Sequence, residues 1–437
     1  MPTRVARRRG LPRRLPSILQ LMAALLVAWF ALQPVDAQAA PPEPPWGNGQ
    51  SKAEDLQIKL VVFSPGDQVT NWFGHAALVV EDTRYNRARL YNYGMFTFDS
   101  AMLVKFAMGR LQFWVGQQSP RATYDFYKAQ ERDVRIHLLD LPPPKRMELA
   151  QHLARKVRPE NRQYLYHHYF DNCSTRPRDR IDDAVDGALQ QLAQKASPLT
   201  LREHTRRYTH HNAPMDLLLA FMMNDSIDQP IPEWDAMFLP DELEQNVEKL
   251  TYEKPSGEVV PLVKDTRVYY EADNREIPDR APAHWPWALL IGLVVGLGGV
   301  GLAYRWSRQP DSTARRVVFG LHQSLVSLML GVPGLLLFVM ACGTDHEVTY
   351  WNENLFFASP ITFAALPLSI MLVFGKSRMA EWLKWIWTSL AVIGLLGILV
   401  KLLPMFDQQN RLPASFIYPM TLGCAAAFWL LERSNDE

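Results

Sequence analysis

Cysteine is scarce in this chain of 437 residues, which contains only Cys173, Cys342 and Cys424. The last two lie in or beside apolar C-terminal stretches, so the polar part of the chain has one thiol and no internal disulfide. No Cys or His pair has metal-ligand spacing around Cys173, and no glycine-rich phosphate loop is present. We therefore expect no metal and no nucleotide cofactor.

An excess of charge of one sign is also lacking. The net charge is +1 and the charged fraction is 21%. Because nucleic-acid-binding proteins usually carry a basic patch, we expect no nucleic-acid partner. The average hides an asymmetry, since the first 283 residues are polar and the remainder is mostly apolar.

The N-terminus has the pattern of a secretory signal peptide. Six arginines occur within the first fourteen residues, and an uncharged run from Ile18 to Leu32 precedes the small-residue sequence Ala37-Gln38-Ala39. We predict a signal peptide over residues 1–39, with an uncleaved anchor as the alternative. In either case the following domain is exported.

Five apolar stretches follow Pro286, and most reach the ~20 residues that a helix needs to cross a bilayer. They are residues 287–304, 317–341, 355–374, 383–403 and 416–431. The first and third connectors are basic, whereas the second carries three acidic residues and no Lys or Arg. Because basic loops stay in the cytoplasm, we predict a membrane domain over residues 284–437 whose second connector faces the exported domain.

The exported part, residues 40–283, is predicted to be an α+β domain. β-branched and alternating stretches predict four strands, and helical spacing of apolar residues predicts two helices before an irregular helical region. The predicted strands cover residues 57–63, 73–80, 89–94 and 134–138; the helices cover residues 145–157 and about 174–192, and the irregular region covers residues 201–250.

Cys173 is the candidate nucleophile, because an unpaired exported thiol needs either burial or chemistry to explain it. Ser174 or Thr175 can cap a helix that starts beside it, and Pro177 suits the first turn. A helix N-terminus favours thiolate and is therefore expected to lower the pKa of Cys173, and its amides can stabilise an oxyanion.

His75 is the candidate base, since it follows Gly74 and begins a strand of small residues. His167 and His168 are alternatives close to Cys173 in sequence. Asn92 is a candidate to orient the imidazole, although an asparagine there can equally bond its own backbone.

Further polar residues near Cys173 and in the second connector are candidates for supporting roles. Asp171 is expected to cap or brace the cysteine turn. The connector is rich in polar groups around Asp345-His346 and Asn352, which predicts either a solvated turn or a loop that contacts a lipid headgroup or substrate.

Three motifs in this order resemble the Lnb-type periplasmic domain family. They are Gly74-His75-Ala76-Ala77, Tyr91-Asn92-Tyr93-Gly94 and Asp171-Asn172-Cys173-Ser174-Thr175. The resemblance covers roughly residues 55–250 and extends to the connector around Asp345. It implies a circularly permuted papain-like fold, of the NlpC and lecithin retinol acyltransferase kind, in which the histidine strand precedes the cysteine helix.

The resemblance also implies an activity and a location. Lnb-type enzymes are lipoprotein N-acyltransferases, so the expected function is acyl transfer from a phospholipid to a diacylated lipoprotein in a bacterial inner membrane, with the catalytic domain periplasmic. The alternatives are a thiol peptidase or amidase acting on cell-wall peptide, and a non-catalytic envelope scaffold. The expected catalytic residues are Cys173, His75 and Asn92; the expected substrate-binding or supporting residues are Asp171, Asn172, Ser174, Asp345, His346 and Asn352.

A thioester intermediate must be protected from water. Four aromatic residues near the two motifs are candidates for that exclusion, with ordinary core packing as the alternative: Trp72, Phe73, Tyr169 and Phe170.

Overall fold

The computed structural model of the protein describes residues 43–96, 100–273 and 275–436. The predicted signal peptide, residues 1–39, lies outside the described residues. Within them, the N-terminal part has mixed α/β structure and the C-terminal part is helical.

The N-terminal part is built on a seven-stranded antiparallel sheet in the order β6-β4-β3-β2-β1-β5-β9. The strands are β1 (Leu56–Phe63), β2 (His75–Asp82), β3 (Arg87–Met95), β4 (Gln112–Gln118), β5 (Val134–Leu139), β6 (Gln163–Leu165) and β9 (Val263–Tyr270), with β7 (Thr251–Glu253) and β8 (Val259–Pro261) as a separate pair. All four predicted strands are confirmed. The prediction missed β4, β6 and β9, which extend both edges of the sheet.

Both faces of the central strands are buried, and this explains their nearly continuous apolar sequence. Leu60 and Leu78 point into the larger core, which also receives side chains from the helices that follow β5. Val61 and Val79 point into a smaller core on the opposite face. The alternation of side chains along each strand therefore serves two cores.

Nine helices complete the N-terminal part among the residues described. They are α1 (Ser100–Ala107), α2 (Pro120–Ala129), α3 (Pro143–Lys156), α4 (Thr175–Ala184), α5 (Ala188–Leu192), α6 (Leu201–Thr209), α7 (Ala213–Met222), α8 (Glu233–Ala236) and α9 (Pro240–Lys249). The prediction for residues 145–157 is confirmed by α3. The continuous helix predicted to Leu192 is wrong, because Asp186 and Gly187 adopt positive φ angles of 51° and 86° and separate α4 from α5.

The C-terminal part consists of α10 (Trp285–Ser307), α11 (Thr313–Gly343), α12 (Pro360–Val373), α13 (Met379–Leu399) and α14 (Arg411–Asp436). Four of its helices are long and apolar enough to cross a membrane. α12 has 14 residues, or about 21 Å of helix, which is short of the ~30 Å bilayer core. The predicted span over residues 355–374 instead contains a 56° bend between residues 347–356 and α12, so five spans result only if this bent pair counts as one.

Candidate active site

The candidate site lies where β2 and β3 separate. Among the described residues, the ladder between these strands ends at the pair Leu78 and Tyr91. His75 and Asn92 lie beyond that last pair, and the register of β3 with β4 also shifts after Asn92. The open end of the ladder leaves room for a third element between the two strands.

His75 is held by a short chain of side-chain hydrogen bonds. Its Nε2 lies 2.7 Å from Asn92 Oδ1, and Asn92 Nδ2 donates to Gln118 Oε1 at 3.0 Å. Because Asn92 Oδ1 can only accept, Nε2 carries the proton and Nδ1 keeps its lone pair. The orienting contact expected of Asn92 is therefore present in the structure, whereas its catalytic role stays a prediction.

The turn before α4 is capped by Asn172. Its Oδ1 accepts hydrogen bonds from the backbone N–H groups of Ser174 and Thr175 at 2.7 and 2.9 Å. Ser174 occupies the N-cap position, as predicted, but its side chain makes no capping hydrogen bond. The Ser174 hydroxyl instead donates to Met237 O at 2.8 Å, and Thr175 Oγ1 accepts from the backbone N–H of Asn172 at 2.8 Å.

Asn172 also anchors the turn to the rest of the domain. Its Nδ2 donates to His168 O at 2.6 Å and to Phe238 O at 3.0 Å. All of its polar atoms are thus engaged in holding the backbone around Cys173, and removing them would leave buried groups without partners.

Asp171 stabilises the turn that carries Cys173, which is one of the two roles expected of it. Its carboxylate forms an ion pair with Arg176, whose Nη2 donates to Asp171 Oδ2 at 2.7 Å. The same guanidinium lies over the Tyr164 ring, 3.8 Å from its centroid. The pair connects the residues on either side of Cys173 and fixes the direction in which α4 starts.

Gly94 lies between the two candidate catalytic residues. A Cβ atom placed on Gly94 would lie 3.5 Å from Cys173 Cβ and 3.8 Å from His75 Cε1. Gly94 also has a φ angle of 95°, which disfavours other residues. A Cβ at this position would thus make ordinary van der Waals contacts with both residues, and it is the backbone conformation that favours glycine.

The ionisation of the site differs from the prediction. Burial raises the pKa of Cys173 to about 11, although hydrogen bonds to the sulfur from the backbone N–H groups of Ala76 and Cys173 and the charge of Arg132 act in the opposite direction. Burial also lowers the pKa of His75 to about 4. The expected lowering of the thiol pKa by the helix terminus is therefore outweighed by burial, and the resting pair is a neutral thiol and a neutral imidazole.

Cys173 and His75 line one cavity of about 450 Å³ with a mostly apolar surface. Six aromatic side chains contribute to its lining: Phe73, Phe96, Phe106, Phe113, Tyr166 and Phe238. This volume falls within the ~300–1,000 Å³ that small-molecule sites usually occupy. The arrangement offers a nucleophile, a base and an apolar space in contact with both.

Of the two alternative candidate bases, His168 lines the cavity and His167 does not. His167 Nδ1 accepts hydrogen bonds from the backbone N–H groups of Tyr169 and Phe170, both at 3.2 Å, which stabilises the turn. His168 lines the cavity, and burial lowers its pKa to about 4. Its ring packs edge-on against Phe73 and Phe238, so its surroundings are aromatic.

Of the four aromatic residues expected to exclude water, only Phe73 lines the cavity. Trp72 donates to Asp67 O, and Tyr169 is buried against Thr205. Phe170 is largely exposed. Phe113 and Tyr166 were not among the predicted residues. They come from β4 and from the end of β6, where the sequence offers only a short alternation of aromatic and polar residues.

The loop between α11 and α12, residues 344–359, contacts the N-terminal part and is called the outer loop below. Asp345 forms an ion pair with Arg110, and His346 Nε2 donates to Phe106 O at 2.9 Å. Phe106 lines the cavity, whereas Asp345 and His346 do not. Asp345 and His346 thus lie next to the lining of the cavity but are not part of it.

Asn352 lies apart from the cavity. It is buried, and its Nδ2 donates to Met222 O at 2.9 Å while its Oδ1 accepts from Gln408 Nε2 at 3.1 Å. These bonds tie the outer loop to the end of α7 and to the loop before α14. The polar side chain of Asn352 therefore holds neighbouring segments together.

The fold and the site define a class of protein: a mixed α/β domain with a thiol and an imidazole in one apolar cavity, joined to a multi-pass helical membrane region. Residues 43–207 match the family model of the Lnb N-terminal periplasmic domain. This match supports the resemblance to the Lnb-type family that the sequence motifs predicted. Comparisons with curated proteins and with solved structures gave no match.

Proposed function

We propose that the protein is an inner-membrane cysteine acyltransferase that moves a fatty acyl chain from a phospholipid to the N-terminal amine of a diacylated lipoprotein. The observation that carries the proposal is the apolar cavity of about 450 Å³ in contact with Cys173 and His75. An acyl chain is apolar and fits such a lining, whereas a cell-wall peptide is polar. The order of the histidine strand and the cysteine helix also agrees with a permuted papain-like fold.

In the first half-reaction, the Cys173 sulfur attacks the ester carbonyl of the phospholipid while His75 Nδ1 takes the thiol proton. A concerted transfer is needed because both groups are neutral at rest. The backbone N–H groups of Ala76 and Cys173, which point at the sulfur, are the candidate donors to the oxyanion. The ester C–O bond then breaks, the leaving alkoxide receives the proton from His75, and a lysophospholipid departs.

In the second half-reaction, the neutral α-amine of the lipoprotein attacks the thioester carbonyl. His75 accepts the amine proton as the C–N bond forms and returns a proton to the sulfur as the C–S bond breaks. The aromatic lining keeps water from the thioester. Asn92 holds the imidazole in the tautomer that both steps require.

The proposal is tested by trapping the acyl-enzyme on the full chain in vesicles of phosphatidylethanolamine and phosphatidylglycerol with isotopically labelled acyl chains. We expect a labelled, hydroxylamine-sensitive thioester on Cys173, and N-acylation when a diacylated lipopeptide is added. Cys173→Ala should lose both products. Cys342→Ala is the matched control, because Cys342 is exposed and lies in the membrane region.

Two outcomes would contradict the proposal. N-acylation by Cys173→Ala at close to the wild-type rate would exclude the covalent mechanism. A peptidyl adduct on Cys173 after incubation with cell-wall peptide, with no acyl adduct from the vesicles, would favour the thiol peptidase or amidase alternative.

A further inference from the structure

Four exposed apolar side chains lie on α1, just after it, and on the outer loop, and these two segments are joined by a hydrogen bond between Met108 and Asp345. Val104, Phe106 and Met108 are 64%, 54% and 38% exposed, and Trp351 is 94% exposed. We call these four residues the apolar rim. A soluble surface seldom presents several large apolar side chains together, so a group of this kind marks a contact with a partner or a membrane.

The apolar rim is fixed to the end of a membrane-spanning helix. The backbone N–H of Asp345 donates to Met108 O at 3.0 Å, and Arg110 Nε lies 2.5 Å from Asp345 Oδ2. A Cβ on Gly109 would lie 2.7 Å from the carbonyl carbon of Asp345, so the two backbones are in direct contact. The position of the rim therefore follows from the position of α11 in the bilayer.

The depth of the rim can be deduced from α11. Val339 in the last turns of this helix is still an exposed apolar residue, as expected of a side chain that faces lipid. α11 continues for four residues beyond Val339, to Gly343, which is about 6 Å of helix rise, and Asp345 follows two residues later. The headgroup layer is of similar thickness, so residues that contact Asp345 lie at the membrane interface.

The composition of the rim also agrees with an interface. Trp is enriched at the boundary between acyl chains and headgroups. Lys105 adds a cation beside the apolar residues, and Arg110 adds a second one that is paired with Asp345. The occupant that matches both features is the phospholipid bilayer.

Phe106 connects this surface to the candidate active site, because it is exposed on one side and lines the Cys173 cavity on the other. We propose that the apolar rim inserts into the membrane surface on the periplasmic side of the inner membrane. We propose further that the acyl chain of a bilayer lipid reaches Cys173 past Phe106. The part concerning the acyl chain rests on the proposed function. The insertion of the rim does not.

The insertion is tested with a photo-crosslinking phenylalanine analogue at position 106 in the full chain, in phosphatidylethanolamine and phosphatidylglycerol vesicles. The Cys173→Ala background removes any chemistry at the site. The matched control is the same analogue at Phe126, a residue of the same type on α2 with 58% exposure. We expect at least ~10-fold more lipid adduct at position 106, because an interfacial side chain is in contact with acyl chains. Equal labelling at the two positions would overturn the inference.

The path of the acyl chain is tested by Val104→Asp, since Val104 belongs to the apolar rim but does not line the cavity, with Phe126→Asp as control. Acyl-enzyme formation from vesicle phospholipid should fall at least ~10-fold in Val104→Asp, because a carboxylate is expelled from the interface. Formation from a water-soluble short-chain thioester should fall by less than ~3-fold, since that donor bypasses the bilayer. An equal loss with both donors would contradict the path. If no variant or wild-type protein forms an acyl-enzyme, the proposed function fails, while the crosslinking result still decides the insertion.

Discussion

Two of the cavities on the sheet domain differ in size and in chemistry. The larger, of about 590 Å³, is a groove over β1, β2, β3, β5 and β9 that is rich in charge, with five basic residues in its lining: Lys59, Arg87, Arg89, Arg121 and Arg267. The smaller, of about 450 Å³, is apolar and is lined by Cys173 and His75. Volume alone would select the charged groove, whereas the chemistry of the lining selects the candidate site.

The difference arises from what the strands do at each place. Under the charged groove the strands are paired, and Lys59 forms an ion pair with Glu81 on the neighbouring strand. At the apolar cavity β2 and β3 have separated, so backbone N–H groups and the sulfur of Cys173 meet there. A reactive group needs such an opening, because a complete ladder leaves no backbone donors for it.

Among substitutions in the two cavities, His75→Ala is expected to have the largest effect on the rate of acyl-enzyme formation. Loss of the base should slow acyl-enzyme formation roughly 10³-fold, within the usual range for general acid–base catalysis. Single-turnover acylation with labelled phospholipid measures the rate. A loss below ~10-fold would assign the base to another group, of which His168 is the one that also lines the cavity.

Gly94→Ala should have the next largest effect. The added methyl group would be in ordinary van der Waals contact with Cys173 and His75, but the φ angle of 95° would strain the backbone that carries it. Relief of that strain would displace the backbone at the site, and a displacement of about 1 Å between reacting groups can cost ~10² in rate. The control is Gly187→Ala, because Gly187 has a similar φ angle of 86° but lies outside the cavity. Acylation rates and thermal unfolding are compared for the two variants. Equal rate losses would mean that a general loss of stability, and not a displacement at the site, limits the rate.

The pH dependence of Cys173 alkylation and of acyl-enzyme formation should distinguish a neutral thiol and imidazole from a thiolate–imidazolium pair. With a pKa of about 11 for Cys173, its alkylation by iodoacetamide should rise about tenfold per pH unit from pH 6 to pH 10, because only the thiolate reacts. Acyl-enzyme formation should change little above about pH 5 and fall as His75, with a pKa of about 4, becomes protonated. Alkylation that reaches a plateau near neutral pH would indicate a thiolate–imidazolium pair instead.

The smallest effect is expected in the charged groove. Arg267→Gln should change the acylation rate by less than about 2-fold, as is usual for a surface substitution away from a site. The same single-turnover assay measures it. A loss comparable to that of Gly94→Ala would break the comparison, because it would make the charged groove part of the reaction.

The motifs in the sequence predicted that Asn92 would orient the His75 ring, and the structure contains that hydrogen bond. The capping residue was not predictable in the same way. Asn172 and Ser174 are both good N-cap residues, and only the positions of Met237 and Phe238, more than sixty residues later, decide that Ser174 bonds elsewhere.

Two other errors have a tertiary cause. The sequence shows the helix terminus next to Cys173 but not the burial that raises its pKa. The polar residues of the outer loop suggested contact with substrate, yet Asn352 is satisfied by the ends of α7 and by Gln408. The cavity lining from β4 and β6 was missed because short edge strands give little periodicity.

The protonated state of Cys173 has a consequence for the lifetime of the protein in its compartment. With a pKa of about 11, roughly one molecule in 10⁴ carries a thiolate at pH 7. Peroxides and disulfides react with the thiolate, so Cys173 should oxidise more slowly than a thiol of ordinary pKa.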